Sequence, residues 1–228
     1  MVEQPWGRMF YDQIYIQLNI EKEKKILDFG AGFCITANHY AKDHEVTALE
    51  PNEEMYSLRV KENDYTLITQ GIDYLKTIPD DQFDVVLCHN VLEYVKNREE
   101  ILDQLVRVLK PQGILSVIKH NLCGRVMGSA VLGNDPKAAL DLLNDVKEDS
   151  MFGDRNVYSN EWLVETLSEN MKLTDTYGIR AFFGLSSNNE IKYTDEWYEP
   201  MLELESKASS MEEFKKIAFF NHLIFKAV

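Results

Sequence analysis

Short apolar runs alternate with stretches of helical period through the first half of the chain. Lys25–Phe29 is a compact run that stops at Gly30 and reads as a buried strand. Residues 35–41 supply a helix after a glycine turn, and 46–49 form a second strand. Pro51 and Asn52 then open a helix expected to reach about Lys61, with Glu53 and Glu54 in the first turn, where negative charge suits the helix dipole. Residues 65–69 and 83–88 are a third and a fourth strand. Between 99 and 109, Ile101, Leu102, Leu105, Val106 and Leu109 share one helical face. The segment 110–113, with a late cation, a proline and a glycine, stops that helix. Residues 114–118 make a fifth strand.

The second half is less regular. Residues 121–158 hold Gly124, Gly128, Gly133 and Gly153 among short helical stretches, and are expected to cap the site. A helix follows over 160–169; 171–180 and 217–225 are closing strands around an acidic helical stretch at 194–213. Strands separated by helices imply right-handed crossovers. The expected fold is a single α/β domain over 1–228, doubly wound and Rossmann-like. Its seven-stranded sheet is mostly parallel, with a helical cap at 121–158 after the fifth strand.

Composition changes this picture little. The chain has 228 residues, 45% hydrophobic and 27% charged, enough to bury a core without staples. Cys34, Cys88 and Cys123 make no disulfide framework and no C-x-x-C pair, which points to a reducing compartment and no metal site. The first residues lack a signal-peptide core, and no apolar run approaches a membrane span, so the expected location is the cytoplasm, with no membrane partner. A net charge of −14 disfavours a phosphate backbone as partner. The local exception is 119–137, where Lys119, Arg125 and Lys137 face only Asp135.

In open parallel sheets, ligands bind beyond the carboxyl ends of the strands. The residues at those ends are unusual here. After the first strand come Asp28, then Gly30, Ala31 and Gly32, small residues that let the backbone turn and approach a ligand. After the second comes Glu50, 18 positions past Gly32, at the spacing of an acid that holds the two ribose hydroxyls of an adenosine. Asp73 and Tyr74 after the third strand suit an adenine amino group and ring. His89 and Asn90 follow the fourth and suit the remainder of the cofactor or the substrate. His120 and Asn121 end the fifth. A dinucleotide site would want a third glycine where Ile35 stands, so a ligand without pyrophosphate fits better than NAD.

Ile26 to Gly32, Leu49 to Met55, Phe83 to Val95 and Val108 to Leu115 resemble the successive motifs of class I S-adenosylmethionine-dependent methyltransferases, of the type 11 kind. A narrower resemblance, over 88–133 and 178–225, is to the bacterial tRNA 5-carboxymethoxyuridine methyltransferases. The resemblance implies S-adenosyl-L-methionine as cofactor and assigns it Gly30, Ala31, Glu50, Asp73 and His89, with Asp28, Gly32, Pro51, Met55, Tyr74 and Asn90 beside them. In the narrower family an arginine of the N-terminal helix meets the cofactor carboxylate, and Arg8 takes that place. Glu50 stands where that family often has Asp, and 134–155 diverges from it.

The implied reaction is in-line methyl transfer to an oxygen, for which positioning does most of the work. A carboxylate acceptor needs cationic anchoring, from Lys119, Arg125, Arg155 or Arg180; Asn121 and Tyr158 complete the substrate-facing set. A hydroxyl acceptor needs a base, His89 or His120. The acceptor stays open between a modified tRNA wobble uridine and a small carboxylate or hydroxyl compound. A protein that binds the cofactor without turnover is the alternative of another class.

Overall fold

The computed structural model describes residues 4–144, 149–150, 153–154 and 156–228. Helix α1 (Pro5–Gln17) leads into β1 (Lys25–Phe29), α2 (Ile35–Tyr40), β2 (Glu45–Leu49), α3 (Glu53–Tyr56), β3 (Thr66–Ile68), α4 (Ile72–Leu75), β4 (Phe83–His89), α5 (Arg98–Arg107) and β5 (Leu109–His120). After β5 come α6 (Leu122–Met127), a π-helical turn (Gly128–Leu132), α7 (Pro136–Leu143) and the hairpin β6 (Asp149–Ser150) and β7 (Gly153–Asp154). The chain closes with α8 (Asn160–Leu167), β8 (Met171–Ile179), α9 (Asp195–Ala208), α10 (Glu212–Lys215) and β9 (Phe220–Ala227).

Seven strands form one sheet in the order β3-β2-β1-β4-β5-β9-β8. It is mostly parallel, with one antiparallel pair, as the alternating pattern implied. β1 pairs in parallel with β2 and β4, so strand order reverses between β1 and β4. Ligands of doubly wound sheets bind at such a point. β1 needs no polar alternation because both faces are covered; four of its five residues are buried.

Contacts divide the chain into two compact units. One comprises 20–117, 158–175 and 223–228, the other 1–19, 118–157 and 176–222. The core of the first is built from Leu27, Val86, Leu102, Leu105, Val117 and Leu163, with the apolar face of α5 turned into it. In the second, Phe10 and Ile14 of α1 pack with Ile118, Ile179 and Phe220, while Met9 packs with Phe183 and Tyr198.

Three boundaries differ most from expectation. The helix after β2 ends at Tyr56, not near Lys61. Beyond it Val60 N–H donates to Phe33 O at 2.9 Å, and the Asn38 side chain accepts from the N–H groups of Glu62 and Asn63, so tertiary bonds replace helical ones. β5 begins at Leu109, running through the segment read as a stop, with Gln112 in left-handed backbone. The last strand starts at Phe220 instead of Ile217. There the Ala218 backbone presses on Gly124, where an added Cβ would lie 2.1 Å from Ala218 O.

Candidate functional site

The turn after β1 is shaped by backbone that most residues avoid. Gly30 has φ +71°, and a Cβ there would sit 2.4 Å from Val91 Cγ2. Its N–H and that of Ala31 both donate to Leu49 O, at 2.8 and 3.0 Å, which ties the turn to the end of β2. Gly32 has φ +56°, with Met55 Cε 2.9 Å from its would-be Cβ. Cys34 is left-handed too, at φ 52°, and opens α2.

Glu50 is the hinge of the arrangement. It is buried, and its Oε2 accepts from Gly32 N–H at 2.7 Å while Oε1 accepts from Asn52 N–H at 2.8 Å. Each carboxylate oxygen can accept twice, so each retains acceptor capacity for a diol. Asn52 caps α3, taking the N–H groups of Glu54 and Met55 on its side-chain oxygen. Pro51 lies beside Gly71, the residue before α4, which carries exposed Asp73 and half-buried Tyr74.

Asp28 is buried one step inside the turn, and its Oδ2 has no hydrogen-bond partner among the described residues. Burial pushes its carboxyl up to about 7; the Glu50 charge adds to the rise, and a backbone hydrogen bond at Ala37 opposes it. At the end of β4, His89 Nε2 and Ser116 Oγ are 2.8 Å apart. Asn90 follows in left-handed backbone, φ 56°, with Oδ1 buried and without a partner among the described residues. Cys34 and Cys88 are buried, and burial raises both thiols, Cys34 to about 11; neither is poised as a nucleophile.

Thus Asp28, Gly30, Ala31, Gly32, Glu50, Pro51, Met55, Asp73, Tyr74, His89 and Asn90 all belong to one unit, around the ends of β1 to β4. Tyr158 belongs to that unit's core, edge-on to Trp162 with the Arg98 guanidinium 5.0 Å from its ring, and burial raises its phenol well above the usual range. Arg155 lies outside the described residues.

The other candidates lie in the second unit. Arg8 is ringed by acids: Asp195 and Glu199 at 3.3 Å and Asp12 at 3.7 Å, with the Tyr198 ring 3.8 Å below. Lys119 is buried and its Nζ donates to His120 O; Arg125 is buried in α6. The stretch 119–137 is therefore no surface cationic patch: among its cations only Lys137 is exposed, and that is paired with Asp141 at 2.8 Å. The Asn121 amide is spent on the carbonyls of Lys216 and Ala218. His120 and Arg180 converge on the same two rings, Phe219 and Phe220.

Ser116 and Val91 were not visible as site residues from the sequence. Ser116 had a faint signal, as the one polar side chain inside the apolar run 114–118. Among the described residues, no group of three or more His, Cys, Asp or Glu side chains could hold a metal ion, and no helix is long and apolar enough to cross a membrane.

Residues 27–117 match the family model described as a methyltransferase domain. Across 195 residues the chain is 28% identical to the ubiquinone biosynthesis O-methyltransferase of Rickettsia typhi, covering 76% of this chain and 77% of that protein. Across 228 residues it is 25% identical to the tRNA 5-carboxymethoxyuridine methyltransferase of Escherichia coli K12, covering 93% and 83%. Its fold matches a solved S-adenosylmethionine-dependent methyltransferase from Mesorhizobium loti with a TM-score of 0.63 at 16% identity, over 96% of this chain and 98% of that one.

Proposed function

Since this chain is an S-adenosylmethionine-dependent methyltransferase, we propose that it transfers the methyl group to an oxygen of a small molecule. The observation that carries the cofactor assignment is the closure of Glu50 onto the glycine turn, with both carboxylate oxygens fixed and still able to accept. Glu50 would take the ribose hydroxyls, Gly30 to Gly32 would allow close backbone approach, and Asp73 and Tyr74 would meet the adenine. Asp28, His89 and Asn90 would serve the amino-acid end. The cofactor, when bound, supplies an activated sulfonium methyl. Arg8 is held by exposed ion pairs to Asp195 and Glu199, contacts that contribute little and exchange readily.

For a hydroxyl acceptor, His89, oriented by Ser116, is our candidate base, with His120 second. An oxygen acceptor also agrees with the named activity of the rickettsial relatives. Net charge −14 and the burial of Lys119 and Arg125 favour a small acceptor over a polyanion. A second reading, methylation of a modified wobble uridine, has the Escherichia coli relative in its favour. Three free cysteines suit a cytoplasmic setting.

Tritiated methyl transfer from S-adenosylmethionine into a panel of phenols and aryl acids, alongside bulk tRNA, tests the choice. Label in the small compounds is expected. Label in tRNA alone would favour the second reading, and cofactor binding with no label in either would favour a non-catalytic binder.

A further inference from the structure

Asp28 is an acid with too few partners. It stands in β1 level with Ala48 of β2, so Glu50 follows two residues further along the neighbouring strand, and the glycine turn begins two residues beyond Asp28 itself. The residue is 3% exposed. The backbone of Ala37 donates one hydrogen bond to its carboxyl, and Oδ2 meets no donor among the described residues. The ionisable groups around it are Glu50 after β2, Cys34 and Tyr40 at the start and end of α2, and Cys88 in β4. None of them is a cation. Burial raises both thiols and the phenol, so all three stay neutral near neutrality.

An ionised carboxylate in such a place lacks what burial demands, a counter-ion or a full set of donors. It also meets the charge of Glu50, whose own oxygens are satisfied by the N–H groups of Gly32 and Asn52 and offer Asp28 nothing. A proton on Asp28 removes both costs, and the carboxyl holds one up to about 7. The cofactor changes that balance, because it brings positive charge: S-adenosylmethionine carries one on sulfur and one on its ammonium group. The inference rests on Glu50 and the glycine turn being the seat of that cofactor.

We propose that Asp28 is a proton-linked sensor of ligand charge, neutral in the free chain and ionised when a cationic nucleoside settles against the glycine turn. The O–H bond of its carboxyl breaks, the proton leaves to solvent, and the carboxylate remains as counter-charge to the ligand; no other bond changes. The sign of the linkage follows. The free chain binds the proton and the complex does not, so affinity for the charged cofactor falls as pH drops through neutrality and levels off above it. A nucleoside with the same base and ribose but no charge leaves Asp28 protonated and gains nothing as pH rises. Asp28 thereby favours the sulfonium cofactor over neutral thioether nucleosides of the same shape.

Calorimetry of the full chain with S-adenosylmethionine and with methylthioadenosine, each in phosphate and in Tris buffer, tests the proposal. The two buffers differ in heat of protonation, so the difference in binding heat counts protons released. The ammonium of the ligand titrates close to this range as well, so the quantity read is the difference between the natural chain and Asp28→Asn. Near neutrality the natural chain is expected to release about half a proton more than Asp28→Asn on binding S-adenosylmethionine. Relative to that variant, it should lose about tenfold in affinity between about pH 8 and about pH 6. Methylthioadenosine, which has the ribose and the base but no charge, should give the same heat in both buffers. That comparison of ligands needs no substitution and is independent of how the variant folds. Equal proton counts in the natural chain and in Asp28→Asn would overturn the proposal, and so would a proton release by methylthioadenosine as large as that by S-adenosylmethionine. Binding of S-adenosylmethionine with heats that ignore the buffer would overturn it while leaving the cofactor reading intact. Absence of S-adenosylmethionine binding would overturn the cofactor reading, and the role of Asp28 with it.

Discussion

The N–H of Gly32 donates to Glu50 Oε2 at 2.7 Å, so the glycine turn after β1 and the acid ending β2 are one hydrogen-bonded unit. Neither half is a site alone. The turn supplies space, and the carboxylate, oriented by Gly32 and Asn52, supplies directed acceptors.

That junction sets the first expectation. Glu50→Gln keeps the size of the side chain but replaces one acceptor oxygen by a donor, and Glu50→Ala removes both. Both should weaken S-adenosylhomocysteine binding at least about tenfold in calorimetry, the loss of a charge-assisted hydrogen bond. Glu50→Ala should also cost about 1–3 kcal/mol of stability, because the Gly32 N–H loses its acceptor in a buried place. A dissociation constant that stays put in both variants would remove Glu50 from the ribose site.

Gly30 and Val91 should be coupled. Gly30→Ala meets two separate costs, a left-handed backbone and a contact of 2.4 Å with Val91 Cγ2. The backbone cost is about 1–3 kcal/mol, and overpacking adds about as much. Trimming the neighbour with Val91→Ala relieves the second and leaves the first. In a denaturant double-mutant cycle the pair should therefore show a favourable coupling of about 1 kcal/mol or more. Strict additivity would mean the turn can move away from Val91 without cost.

How much of this was legible beforehand follows from what sets each feature. The strands Lys25–Phe29 and Phe83–His89 are written in local apolar runs, and the sheet follows from their alternation with helices. The acid at position 50 was legible because its spacing from the glycines fixes its place at a strand end. What escaped depends on partners remote in sequence. The helix after β2 stops early because Val60 bonds to Phe33 and Asn38 holds the chain at 62–63, which no periodicity records. Lys119 and Arg125 looked like a surface patch because charge alone does not reveal burial.

Asp28 and His222 should pull the pH profile of stability in opposite directions. Burial raises the Asp28 carboxyl from 3.8 to about 7, so within that window the folded chain holds a proton that the unfolded chain has lost. Stability from this group is therefore greatest at low pH, falls as pH rises through the window, and levels off above it. His222 is buried and accompanied by Gln17, and burial lowers it from 6.5 to about 3. The unfolded chain takes up that proton first, so this contribution is lost as pH falls from 6.5 towards 3. Replacing Asp28 by Asn removes only the first. Melting midpoints compared across the acid range should show Asp28→Asn gaining on the natural protein as pH rises, and holding that gain above neutrality. Parallel curves would mean that Asp28 titrates alike in the folded and unfolded chain.

The last expectation concerns two glycines of the segment after β5, four residues apart on consecutive helical turns. At Gly124 an added methyl would sit 2.1 Å from Ala218 O and 2.7 Å from Phe219 Cα. Those are backbone atoms, and the strand-leading stretch they belong to is held by the Asn121 amide through the Lys216 and Ala218 carbonyls, so it cannot yield cheaply. At Gly128 the same methyl meets only the edge of the Phe219 ring, at 3.2 Å, which a small ring rotation relieves. There the gain in helix propensity, about 1 kcal/mol, offsets the adjustment. Gly124→Ala should therefore lower stability by about 2 kcal/mol or more in chemical denaturation, while Gly128→Ala changes it by less than about 1 kcal/mol. Should both be tolerated equally, the approach of α6 to the start of β9 is looser than these distances say, and the ring pair that His120 and Arg180 share would lose the support that fixes it.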